Sequence, residues 1–112
     1  DFVIPLALMR LFDRCYVPPS FDNRDPRISP TYAPADRFPR RVLMITADGD
    51  TLAPEGEELA ERIKTLPGRH VVSERMRGCS HGWDKDKKTR AGTPQYQAKE
   101  RAYQLACDML YE

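Results

Sequence analysis

The feature that most constrains the fold is a short apolar run that ends in an acidic turn and leads into a helix. Val42–Ile45 is a continuous run of apolar side chains, and the turn formers Asp48–Asp50 follow closely. Such a run indicates a strand buried on both faces, the usual state in a parallel sheet. Pro54 then suits the first position of a helix. The sequence therefore predicts two carboxylates at the C-terminal end of a buried strand, where open α/β sheets collect ligands and catalytic groups.

Two further segments complete a βαβ unit. The helix predicted over residues 55–66 has one apolar face made by Leu59, Ala60, Ile63 and Leu66. His70–Glu74 is predicted to be a second strand, and a strand–helix–strand connection of this kind is parallel. A polar loop is expected over residues 76–92. A final helix should follow, with Thr93 as its N-cap and Pro94 at its first position.

The upstream third of the chain has a different character. Phe2–Phe12 is apolar on nearly every side, so a helix there needs to be covered by other chain. Residues 16–40 are rich in proline and are expected to form an irregular but ordered connection. One βαβ unit with a last helix makes too small a core for a stable sheet. We therefore expect residues 1–112 to be the C-terminal part of a single larger α/β domain.

Composition excludes several classes of protein. The net charge is only +1, which gives no field for nucleic acid or an anionic membrane. The apolar run Phe2–Met9 is too short to span a bilayer. Cys15, Cys79 and Cys107 are odd in number and far apart, which favours free thiols in a reducing, cytoplasmic setting. The acidic turn lacks the later ligands of a calcium loop, and no zinc spacing is present. We expect no metal and no cofactor.

The acidic turn and the loop around His81 carry the possible chemistry. Each follows a predicted strand, so both should lie at the same edge of the sheet. A carboxylate that holds an imidazole in one tautomer forms the second half of a nucleophilic triad. Taken separately, an acidic turn is usually a helix-start or turn device, and a single histidine beside glycine is usually structural. Their order and spacing favour the triad hypothesis.

Three segments resemble one known family. Asp50–Leu52, Glu55–Ala60 and Gly78–Trp83 stand in the order and spacing of the C-terminal third of the hormone-sensitive-lipase-like branch of the α/β-hydrolases. The stretch Asp25–Pro30 is similar to the one that precedes the acid-bearing strand in that family. The resemblance covers nearly the whole chain from about Tyr16. It implies a serine ester hydrolase, a carboxylesterase or lipase, of which this chain supplies the βαβ-plus-helix portion of the fold.

The resemblance also implies roles for individual residues. Asp50 would be the triad acid and His81 the triad base, while Trp83 would lie near the acyl site as a substrate-binding residue. Asp48 would be a turn former that bonds its own backbone. The nucleophile and the oxyanion hole would lie upstream of Asp1, because these enzymes run serine, acid, histidine. Residues 1–15 would belong to the substrate-covering region or to the core. This chain alone would be inactive.

One local match to a catalytic motif is rejected. Gly78–Gly82 fits the pattern G-x-S-x-G, but the charged run Asp84–Lys88 follows it, where a nucleophile elbow leads into a helix packed on the sheet. Ser80 is therefore not predicted to be the nucleophile.

The expected partners are the N-terminal part of the same protein, a small ester substrate and, through the final strand and helix, a second copy. Two alternatives stay open: a non-catalytic interaction or dimerisation module, and a piece of another doubly wound fold.

Overall fold

The computed structural model describes residues 5–111, in two units that divide between Pro34 and Ala35. Each unit is described by itself. The division falls inside the segment 16–40 that is predicted to be one irregular connection. The helices and strands in chain order are α1 (Leu6–Tyr16) in the first unit and β1 (Arg41–Gly49), α2 (Ala53–Lys64), β2 (His70–Ser80) and α3 (Pro94–Tyr111) in the second.

Helix α1 starts later and ends later than the apolar pattern predicts. Pro5 precedes its first residue, and the Pro5 carbonyl accepts from Leu8 and Met9 N–H at 2.9 and 3.0 Å. The helix continues past Phe12 to Tyr16, and the predicted residues 2–4 lie outside the described range. None of its side chains is buried within the described chain, although most are apolar. That the helix is covered by other chain stays a prediction.

The rest of the first unit is irregular chain that contains a local ion pair between Asp25 and Arg27. Arg27 donates from Nε and Nη2 to the two oxygens of Asp25 at 2.9 and 2.6 Å. Its guanidinium also lies over the Phe21 ring, 5.1 Å from the centroid. The side-chain hydrogen bonds from Arg27 lower the pKa of Asp25 to about 2. Local contacts of this kind order a chain that proline keeps out of helix and strand.

The second unit is a parallel two-stranded sheet with helices on both faces. In the register of β1 and β2, Arg41 is opposite His70 and Ala47 is opposite Met76. Because side chains alternate along a strand, β1 presents Thr46 to α2 and Ala47 to α3. The α2 face buries Leu59, Ala60 and Ile63. On the α3 face the core cluster is formed by Ala47, Met76, Cys79 and Ala102. The predicted α/β arrangement is confirmed, as are Leu59, Ala60 and Ile63 on the apolar face of α2, whereas the predicted Leu66 lies beyond the end of the helix at Lys64.

Both strands are longer than predicted. β1 continues through Gly49, and β2 continues to Ser80, so the polar loop expected from Met76 begins only after Ser80. The apolar pattern fails at this end because the ladder is irregular between Ala47 and Gly49. A β-bulge there interrupts the alternation of side chains that marks a strand in the sequence. The prediction of a loop over residues 76–80 was wrong for that reason.

An ionic network ties α2 to both strands. Glu57 accepts from Arg75 Nε and Nη2, both at 2.6 Å, and from Thr46 Oγ at 2.7 Å. Arg75 lies on β2 and Thr46 on β1. The hydrogen bonds from Arg75, followed by the one from Thr46, lower the pKa of Glu57 from 4.5 to about 2.

This pKa predicts acid sensitivity. A carboxyl whose pKa is lowered on folding stabilises the native state above its unfolded pKa and loses that effect as the pH falls through its folded value. We expect the wild-type melting temperature to fall between pH 4.5 and about 2 more steeply than that of Glu57→Gln. Thermal melts across this range measure the difference. Glu61→Gln, on the exposed side of α2, is the matched control and should follow the wild type; equal slopes for all three proteins would contradict the prediction.

Candidate functional site

The acidic turn and the histidine loop meet at the C-terminal edge of the sheet. Asp50 comes directly after β1 and His81 directly after β2. Asp50 Oδ2 lies 2.7 Å from His81 Nδ1. The contact that the sequence predicts is therefore present, and the acid that makes it is Asp50 rather than Asp48. The parallel direction of the two strands brings the residues together, since it places both strand ends at one edge. Their catalytic roles stay predictions.

The backbone around Asp50 aims its carboxylate. Asp50 Oδ1 accepts from Leu52 N–H at 2.9 Å, which leaves Oδ2 for the imidazole. The turn is closed by two backbone hydrogen bonds, from Asp50 N–H to the Ala47 carbonyl and from Ala53 N–H to the Asp50 carbonyl, each 3.1 Å. The carboxylate is thus fixed by the turn that links β1 to α2.

The local environment keeps Asp50 ionised. Partial burial raises the pKa of this carboxyl, but the hydrogen bonds from the His81 side chain and from Leu52 N–H outweigh it and hold the pKa below its ordinary value. An ionised carboxylate opposite a ring nitrogen favours the tautomer that carries its proton on Nδ1. In that tautomer Nε2 is free to accept a proton. The Asp50 side chain is 20% exposed and that of His81 70% exposed, so the imidazole is open to a further partner.

Asp48 has a different role from the one predicted. Its carboxylate does not bond its own turn; Oδ2 accepts from Gly78 N–H on β2 at 3.0 Å. Oδ1 lies 3.4 Å from Arg77 Nη1. The expectation that Asp48 is a self-bonding turn former was wrong, because β2 extends far enough to present its backbone to this side chain. This contact was not predicted from the sequence because Gly78 lies beyond Glu74, the predicted end of β2.

Gly49 packs closely against the end of β2, where it pairs with Ser80. A Cβ built on it would lie 3.1 Å from Ser80 Cα and 3.3 Å from the Cys79 carbonyl oxygen. Both neighbours are backbone atoms, which move only if the strand moves. The absence of a side chain at residue 49 therefore allows Ser80, and with it His81, to lie close to Asp50.

Trp83 and Ser80 are the other residues of interest in this loop. Trp83 packs against the cluster of Ala47, Met76 and Cys79, and its Nε1 is buried without a hydrogen-bond partner in the described chain. The predicted substrate-binding role of Trp83 stays a prediction. Ser80 ends β2, and the next helical segment is a three-residue 3-10 helix, Trp83–Lys85. A nucleophile elbow needs a helix packed on the sheet at that point.

Comparison with known proteins identifies the family. A family model described as "alpha/beta hydrolase fold" matches residues 1–85. The chain belongs to the alpha/beta hydrolase fold family. The matched part of the chain includes both Asp50 and His81. No curated protein and no solved structure matches the chain. The predicted fold class is confirmed, whereas the branch of the family and the ester substrate are still predictions.

Two surveys of residues 5–111 bear on other classes of site. In that range no group of three or more His, Cys, Asp or Glu side chains is arranged to hold a metal ion. None of the helices described there has the length and apolar character needed to cross a membrane.

The close approach at Gly49 predicts a sharp contrast between two glycines. Gly49→Ala should push the strand ends apart and lower both the melting temperature and the fraction of His81 bonded to Asp50. Gly56→Ala is the matched control, because its Cβ would meet only the Met44 and Thr46 side chains at 3.4 and 3.6 Å. In the interior of α2 that change should stabilise by up to about 1 kcal/mol. Thermal melts measure the stability of the two variants. A Gly49→Ala protein as stable as Gly56→Ala would contradict the prediction that Gly49 needs to lack a side chain.

Proposed function

We propose that this hydrolase is a serine ester hydrolase of the hormone-sensitive-lipase-like branch, a carboxylesterase or lipase, with Asp50 as triad acid and His81 as triad base. The observation that supports the proposal is the 2.7 Å contact between Asp50 Oδ2 and His81 Nδ1. It lies at the carboxyl end of two neighbouring parallel strands, the position of catalytic groups in open α/β sheets. Family membership adds that the fold is one used for hydrolysis.

The reaction follows from the roles of the two side chains. His81 Nε2 takes the proton of a serine hydroxyl as the oxygen attacks the ester carbonyl, and then gives it to the leaving alcohol. A water molecule repeats the sequence on the acyl-enzyme, which releases the acid and restores the serine. Asp50 holds the imidazole in the required tautomer and stabilises its charged form. The lowered pKa of Asp50 suits this role, because the carboxylate stays ionised throughout.

The nucleophile and the oxyanion hole are proposed to lie upstream of Asp1 in the full protein. Hydrolases of this fold run serine, acid, histidine along the chain. Ser20 and Ser29 precede Asp50, but both lie in irregular, proline-rich chain rather than between a strand and a helix. We therefore propose that the 112 residues are the C-terminal part of one hydrolase domain and are inactive alone. Trp83 would help to enclose the acyl group, in a cytoplasmic enzyme, and residues 1–15 would belong to the substrate-covering region or to the core of the full domain.

The assignment of the triad predicts a graded set of losses. In a protein that includes the upstream chain, we expect hydrolysis of short p-nitrophenyl esters. His81→Ala should lower kcat by a factor on the order of 10³ or more, since base and nucleophile act as a unit. Asp50→Asn should also be severe, because it holds the imidazole in the wrong tautomer. Ser80→Ala is the matched control from the same loop and should change kcat little.

Covalent labelling locates the nucleophile directly. A fluorophosphonate should modify one serine upstream of Asp1, and peptide mapping identifies it. Ser80→Ala should leave that label in place, whereas His81→Ala should slow its attachment. A label on Ser80 would overturn the proposal, and so would full activity in His81→Ala.

A second candidate function is an interaction module that dimerises through β2 and α3. In the described sheet β2 has β1 on one edge only, and Leu110 and Tyr111 at the end of α3 are exposed. An open strand edge is a ready surface for pairing with another copy.

This candidate predicts a dimer that one surface change disrupts. Leu110→Arg should convert it to a monomer without loss of fold, because the side chain is 77% exposed. Lys64→Glu, at the exposed end of α2, is the control and should leave the dimer intact. Light scattering after size exclusion measures both; a wild-type monomer at all concentrations would rule the module out.

A further inference from the structure

We infer that Asp48 is a positioning residue, whose carboxylate holds the bulge in β2 and thereby places His81 opposite Asp50. The inference rests on the proposed function, in which these two side chains are triad acid and base. Asp48 lies two residues before Asp50, and its carboxylate bonds β2, the strand that leads into His81.

The register of the sheet shows what the bulge does. Ala47 is opposite Met76, and Gly49 is opposite Ser80, so two steps along β1 correspond to four along β2. Two extra residues are therefore accommodated in β2. In a regular parallel ladder the residue level with Asp50 would be Cys79. His81 would lie two residues farther on, about 6 to 7 Å along the strand. The bulge is what brings His81 level with Asp50.

The bulge is held by contacts to the backbone N–H and C=O of one residue, Gly78. Gly78 has φ +65°, a conformation that removes its N–H from the regular ladder and that side chains disfavour. Asp48 Oδ2 accepts that N–H at 3.0 Å, and Gln95 Nε2 on α3 donates to the Gly78 carbonyl at 3.3 Å. The N–H therefore has a charged acceptor, which makes a stronger hydrogen bond than a neutral one.

The ion pair with Arg77 is the minor part of this arrangement. Its guanidinium lies 3.4 Å from Asp48 Oδ1, and the Arg77 side chain is 81% exposed. Exposed pairs contribute little. The contact that positions the strand is thus the hydrogen bond between the Asp48 carboxylate and the Gly78 N–H. Variants that remove this bond should therefore differ from a variant that removes only the ion pair with Arg77.

The test uses the protein with its upstream chain and two separate readouts. The first is kcat and KM on a short p-nitrophenyl ester. The second is the downfield proton resonance of His81 Nδ1–H, which reports the hydrogen bond to Asp50 whether or not the protein turns over. Asp48→Ala should lower kcat about 10- to 100-fold through misplacement of the base, with little change in KM. The same variant should lose or broaden the downfield resonance.

Two variants separate positioning from charge. Asp48→Asn keeps an oxygen that can accept from Gly78 N–H, so it should restore most of kcat and the resonance. Arg77→Gln removes only the exposed ion pair and should leave both readouts unchanged. A folded Asp48→Ala protein with wild-type kcat and resonance would overturn the inference. If Asp48→Ala does not fold, Asp48→Leu decides: it keeps a branched side chain of similar shape without an acceptor for the Gly78 N–H, and wild-type values in that variant would overturn the inference equally.

The outcomes also separate this inference from the proposed function. If His81→Ala keeps its activity while Asp48→Ala loses the resonance, the positioning role stands and the triad fails. If His81→Ala is inactive while Asp48→Ala keeps both kcat and the resonance, the triad stands and the positioning role fails.

Discussion

The parallel pairing of β1 with β2 is the constraint on which the site depends. Parallel strands send their carboxyl ends to the same edge of a sheet, so residues that follow them meet although they are far apart in sequence. Asp50 and His81 are separated by 31 positions and still lie within hydrogen-bond distance. An antiparallel pairing of the same segments would send them to opposite edges. The parallel pairing is made possible by α2, which carries the chain from the end of β1 back to the start of β2.

Helix α2 covers one face of this small sheet and helix α3 covers the other, and the two helices make different contacts with the strands. On one face α2 buries Ile63 completely and joins both strands through Glu57, so that an apolar contact and an ionic network act on the same helix. On the other face α3 packs Ala102 against Ala47 and Met76 and reaches the bulge through Gln95. The helix that follows the histidine loop therefore returns to stabilise the strand that precedes it. Packing and site geometry are coupled through α3.

The elements that a local pattern of apolar residues marks were predictable from the sequence. The run Val42–Ile45 predicted β1, although its side chains are only partly buried in the described chain and not buried on both faces as expected. The spacing of Leu59 and Ile63 predicted the buried face of α2. The end of β2 was not predictable in this way. Residues 76–80 include a glycine, an arginine and a serine, and only the partner strand makes them part of the sheet. The contact of Asp48 with Gly78 was missed for the same reason, since it exists only once the bulge has formed.

The two aspartates of the turn have the same side chain but different partners, and so they have different roles. Both are aspartates, two residues apart, and each directs an oxygen at a nitrogen on or just after β2. Asp48 meets a peptide N–H, which has no other protonation state at ordinary pH, so its contact fixes geometry alone. Asp50 meets an imidazole, whose charge changes as it accepts a proton, so its contact responds to chemistry. The closed turn gives Asp50 a second hydrogen bond from Leu52 N–H, and this helps to hold the pKa of its carboxyl below the ordinary value. Asp48 therefore fixes the geometry of the site through the backbone of β2. Asp50 takes part in the proposed reaction through His81.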